Sequence, residues 1–76
     1  MPVNIIVFGQ LTDITGSALS LDNITDTDAL LTQLNRLYPA LADKKYVMAV
    51  DKRVVSTNTV ITDGTTVALL PPFSGG

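Results

Sequence analysis

The chain has 76 residues with no Cys and no His, five Lys and Arg against seven Asp and Glu, and a formal net charge of −2. Those counts exclude a disulfide framework, a thiolate zinc site and any basic stripe able to follow a phosphate backbone, so neither nucleic acid nor an anionic membrane is an expected partner. A composition 46% hydrophobic and only 16% charged excludes disorder and asks for one small domain whose stability rests on its apolar core.

Met1-Pro2-Val3 leads straight into a strand, with no charged-then-apolar leader, no long apolar run and no lipidation motif. The expectation is a cytoplasmic protein with no membrane contact. Val3 to Phe8 is β-branched or aromatic at nearly every position, as in a central strand, and it stops at Gly9. Gln10 to Gly16 is expected to be a loop. Ala18 to Asp22 alternates, with Leu19 and Leu21 on one face, and should return antiparallel to the first strand.

From Asp28 the apolar residues Leu30, Leu31, Leu34, Leu37 and Tyr38 form one stripe of a 3.6-residue helix, and the whole stripe is expected in the core. Asp26 or Thr27 can cap its start, and Pro39 should end it near Tyr38. Tyr46 to Val50 and Arg53 to Val55 suggest two short strands around Asp51-Lys52. Lys52 is expected to resist the positive φ that a tight primed turn demands. Asp63-Gly64 marks a turn before the last strand, Thr66 to Leu70, and Pro71-Pro72 ends its ladder because neither proline donates a hydrogen bond. Asp51 and Asp63 read as turn residues and make no metal site.

A first and a last strand that are both strongly apolar belong side by side at the centre of a sheet. The expected fold is therefore α+β, a mixed sheet of about five strands packed on one main helix in the β-grasp, ubiquitin-like arrangement. Residues 1–72 would form the domain and residues 73–76 a flexible Gly-Gly tail.

That tail carries the chemistry. Pro71 to Gly76 in extended form reaches roughly 20 Å, enough to enter a deep cleft. The prolines fix φ and hold the exit direction, whereas Ser74, Gly75 and Gly76 add little bulk. The reactive group expected is the C-terminal carboxylate of Gly76. A carboxylate is a poor electrophile, so a partner must activate it, with ATP giving an acyl-adenylate and pyrophosphate. A sulfur nucleophile, or a partner's Cys or Lys, can then take the acyl group. Every catalytic side chain in these routes belongs to a partner, and no bound cofactor is expected.

The run from Asp63-Gly64 through Thr66-Val67-Ala68-Leu69-Leu70 to Pro71-Pro72-Phe73-Ser74-Gly75-Gly76 resembles the C-terminal signature of the ThiS/MoaD group of ubiquitin-like sulfur carriers. Within that group the Pro-Pro exit is most similar to the molybdopterin synthase small subunits. Phe8-Gly9, and the helix ending at Tyr38-Pro39, stand where that family has them. The resemblance implies that an E1-like adenylating enzyme consumes ATP to activate Gly76 and convert it to a thiocarboxylate. It further implies a large synthase subunit (MoaE-like) that receives the tail and its sulfur, in molybdenum cofactor biosynthesis. The carrier would be a non-catalytic subunit, monomeric when isolated.

Leu70 and Ala68 are expected to face an open side of the sheet and, with Pro71, Pro72, Phe73 and Ser74, to meet the partner. The plainer alternatives are that residues 40–45 cover Leu70 and Ala68 and that Phe73 folds back on the domain. Arg36, Lys44, Lys45, Lys52 and Arg53 read as solvated charge. Competing functions are a carrier for thiazole synthesis or tRNA thiolation, a covalent protein modifier using the same Gly76 acyl-adenylate, and a plain interaction domain with inert glycines.

Overall fold

The computed structural model describes residues 2–72. Its elements in chain order are β1 (Val3–Val7), α1 (Thr12–Thr15), β2 (Ala18–Leu21), α2 (Thr27–Leu37), β3 (Val47–Val50), β4 (Arg53–Val55) and β5 (Thr66–Leu70). The strands form one sheet in the order β2-β1-β5-β3-β4. β1 and β5 are parallel and central, and every other pairing is antiparallel. This is the expected mixed β-grasp sheet. Its parallel central pair needs a long crossover, which the intervening 58 residues between Val7 and Thr66 provide.

Alternation decides which face is buried. Val3, Ile5 and Val7 from β1, Val67 and Leu69 from β5, and Met48 and Val50 from β3 point to one side, where Leu30 and Leu34 of α2 join them in a single core. Leu11, Ile24, Leu41 and Ile61 close its edges. Among the described residues the large side chains of Ile5, Leu30, Leu34, Leu41 and Leu69 are essentially fully buried. Each aliphatic group of that size contributes about 1.5–3 kcal/mol on leaving water, which is what a chain without cross-links must rely on.

α2 starts where Asp26 caps it. The Asp26 carboxylate accepts from the Ala29 amide at 2.8 Å. The second cap is distant in sequence, since Asn58 Oδ1 accepts from the Asp28 amide at 2.9 Å. The Thr27 amide donates to the Thr59 carbonyl at 2.9 Å. Three of the first helical N–H groups thus find partners, two of them on the 58–59 segment. α2 ends at Leu37, where Tyr38 leaves helical geometry ahead of Pro39. Pro39 opens a 3-10 turn, Pro39–Asp43, that drives Leu41 into the core.

Three expectations need correction. Residues 10–16 are not a loop, because a 3-10 turn, Gly9–Leu11, runs into α1 and buries Leu11. The leucine stripe of α2 is only partly core: Leu31 is 40% and Leu37 50% exposed. Leu31 flanks the contact line, and Leu37 shares roughly the angular position of Leu30 but occupies the last residue of α2, beyond the packed turns. Lys52 does not resist positive φ, for Asp51 and Lys52 adopt φ of 49° and 71°. The register of β3 with β4 leaves two residues to turn between Val50 and Arg53, and the primed turn that fits strand twist takes positive φ at both. As expected of a central strand in a half-covered sheet, β1 is covered on one face, with Asn4 and Ile6 exposed on the other.

Candidate functional site

The site expected from the sequence lies where the chain leaves β5. Leu70 is the last residue of that strand and pairs with Val47 of β3. On the other side the Phe8 amide donates to the Leu69 carbonyl at 3.0 Å, the last bond tying β1 to β5. Extending the parallel register by two places sets Gly9 opposite Pro71. Pro71 is half-buried and Pro72 exposed. Phe73, Ser74, Gly75 and Gly76, which carry the rest of the expected site, lie outside the described residues.

Gly9 and Pro71 meet closely. Gly9 has φ +65°, and a Cβ built on it would stand 2.6 Å from Pro71 Cγ. Non-bonded carbons prefer 3.5–4.0 Å, so only a residue without a side chain leaves Pro71 where it is. Phe8-Gly9 at a strand end was legible in the sequence, but its neighbour across the sheet was not.

The sheet face opposite the core is open beside this exit. Ile6 is 39% and Phe8 46% exposed, and Ala68 and Leu70 are half-buried. Ile6, Phe8, Ala49, Thr66 and Ala68 line a shallow, largely apolar depression rimmed by Asp51 and Lys52. None of residues 40–45 is among its lining residues, and Ala68 is. Val54, 66% exposed and paired with Ala49, continues the apolar surface onto β4. A patch of this kind on a small protein marks a contact surface.

Electrostatics at the exit are simple. Lys44 and Lys45 are exposed and precede β3, whose first residue, Val47, pairs with Leu70. Both cations therefore flank the end of the sheet from which the C-terminal segment departs. Beside them the Tyr46 hydroxyl is covered and has no hydrogen-bond partner among the described residues. Burial raises its pKa above the ordinary value of 10.0, because desolvation disfavours the phenolate. Among the described residues no three His, Cys, Asp or Glu gather as a metal site would need, and no helix is long and apolar enough to cross a membrane. The described part of the site offers shape and an apolar surface beside the end of β5.

Comparison with known proteins agrees with this geometry. The chain is 32% identical over 80 residues to the molybdopterin synthase sulfur carrier subunit of Mycobacterium tuberculosis, covering 97% of this chain and 96% of that one. Among solved structures it resembles a chain of the complex of subunits 1 and 2 of molybdopterin-converting factor from Helicobacter pylori 26695, with TM-score 0.76, 25% identity and full coverage of both chains. A chain described provisionally as molybdopterin converting factor subunit 1 from Pyrococcus furiosus shares the fold, with TM-score 0.81 at 17% identity over 96% of this chain and 99% of that one. The sequence pattern of the ThiS family matches residues 5–76, from the central first strand to the final glycine, and the chain belongs to that family.

Proposed function

We propose that this protein is a sulfur carrier that works as the small subunit of molybdopterin synthase, with residues 73–76 as its working arm and the Gly76 carboxylate as its reactive group. The observation that carries the reading is the full-length similarity, in a ThiS-family chain, to a protein named as a molybdopterin synthase sulfur carrier subunit.

In this reading an E1-like enzyme binds ATP, and a Gly76 carboxylate oxygen attacks the α-phosphorus, releasing pyrophosphate. The resulting acyl-adenylate is electrophilic enough for a persulfide sulfur to displace AMP. A thiol then attacks the enzyme's sulfur of that acyl disulfide, forming a new disulfide with it and releasing the carrier as its thiocarboxylate. The protein supplies binding and direction. Its open face, with Ile6, Phe8, Ala68 and Leu70, is the docking surface, and Pro71 and Pro72 form the stem. The small residues Ser74 and Gly75 let the end pass down a narrow channel. A large synthase subunit would meet the same face, consistent with the two-subunit complex that contains the H. pylori relative.

The test is intact mass spectrometry after incubation with ATP, an activating enzyme and a sulfur donor. The expected product is heavier by the difference between one sulfur and one oxygen atom. Adding one Ala after Gly76 should abolish that product while leaving the fold unchanged. No mass change with an enzyme that charges its own carrier in the same tube overturns the reading. Conjugates to lysines that survive reduction would instead favour a protein modifier.

A further inference from the structure

We propose that Gly9 is a positioning residue: its missing side chain is the seat on which Pro71 rests, and that seat sets where the Pro71-Pro72 stem leaves the sheet. The inference rests on the sulfur-carrier reading for its consequence in activity, but its geometric content stands independently of it.

The two partners are held unequally. Gly9 is anchored from both sides, since the preceding Phe8 amide donates to Leu69 at 3.0 Å and the Gly9 carbonyl accepts from Thr12 Oγ1 at 2.8 Å. The Thr12 amide also points at that carbonyl. Pro71 has no amide hydrogen to donate and lies one residue beyond the last paired position of β5. A side chain placed on Gly9 would therefore displace Pro71 rather than Gly9. Relieving a 2.6 Å approach to ordinary contact needs a shift of roughly 1 Å.

Proline rings lock φ at both Pro71 and Pro72, so the stem has few backbone torsions left with which to absorb that shift. A misplacement of that size at a reacting group can reduce rate by about a hundredfold. Gly16 provides an internal comparison. It also has positive φ, +83°, but a Cβ there meets nothing within 4 Å. Alanine at Gly16, with φ 83° and ψ 179°, enters a backbone region essentially reserved for glycine, so that variant is a stringent control for strain, and only alanine at Gly9 brings a Cβ against the stem.

The experiment compares full-length Gly9→Ala, Gly16→Ala, Pro71→Ala and Gly9→Ala/Pro71→Ala. With the activating enzyme and ATP, Gly9→Ala should lose about tenfold or more in kcat relative to Gly16→Ala at similar KM, because the docking face is untouched. In the Pro71→Ala background, adding Gly9→Ala should reduce kcat no more than Gly16→Ala does. Equal rates for the two alanine variants, or a loss that persists when Pro71 is absent, overturn the inference. If Gly9→Ala does not fold, Gly9→Asn, which tolerates positive φ but keeps a Cβ, takes its place. If the unaltered protein is never charged, the carrier reading falls instead. Backbone amide NMR shifts then decide the geometry: those of residues 73–76 should move in Gly9→Ala and stay fixed in Gly16→Ala, and unmoved shifts in both overturn it.

Discussion

The Phe8 amide is bonded to the Leu69 carbonyl at 3.0 Å, so an aromatic residue that is 46% exposed is held in place by its backbone while its ring stays available on the open face. A residue fixed in this way contributes little to the core and much to a contact.

Replacing Phe8 by Ala should therefore separate binding from folding. Stability should change by less than about 1 kcal/mol, as for substitutions away from the core. Association with the large synthase subunit proposed above should weaken by about tenfold or more, as expected for a central aromatic anchor. Titration calorimetry and thermal melting on the same preparation check both halves.

Leu34 is fully buried in the core and offers the opposite case. Leu34→Ala should lose about 2–5 kcal/mol, a large part of the stability available to a chain of this size. Urea unfolding followed by circular dichroism should show a lowered midpoint.

The start of α2 depends on two side chains far apart in sequence. Asp26→Ala removes the bond to Ala29, and Asn58→Ala removes the bond to Asp28, each expected to lose about 1 kcal/mol. Because Asn58 Nδ2 also donates to Asp26 Oδ2 at 3.4 Å, the two losses should not add. A double-mutant cycle measures the coupling.

Lys52 sits at φ 71° after Asp51 at φ 49°, a strained state for a long side chain. Lys52→Gly creates the Asp-Gly pair that such turns favour and should stabilise by about 0.5–1 kcal/mol. A melting temperature raised by a few degrees is the expected readout, and a lowered one would contradict the turn geometry.

Tyr46 makes a pH prediction. Its pKa is raised in the folded state by desolvation, so its unfolded form ionises first as pH rises. The stability tied to the neutral phenol is fully present below pH 10.0 and is lost as pH climbs through the higher folded value. Tyr46→Phe should flatten that alkaline loss, and it should not destabilise at neutral pH, because the hydroxyl leaves no bonded partner behind. Melting curves on either side of pH 10.0 test both statements.

Local pattern alone determined a good deal of this protein. Alternation in Val3 to Val7 and Thr66 to Leu70, the helical spacing from Leu30 to Leu34, the Asp26 cap and the breaks at Pro39 and Gly64 all depend on neighbours within a few residues, and the structure has each of them. The apolar character of the first and last strands also sufficed to pair them at the centre. Tertiary structure alone decided the rest. Leu31 is partly exposed because a helix on a sheet buries a narrow line, and Leu37 because α2 ends there, beyond the packed turns. Lys52 takes positive φ because strand register on both sides imposes it. Asn58 caps a helix that begins 31 residues earlier. Gly9 matters because Pro71, 62 positions away in the chain, arrives against it. Periodicity and caps are short-range, whereas which surfaces meet is settled only when distant segments are brought together, and no spacing in the sequence records that distance.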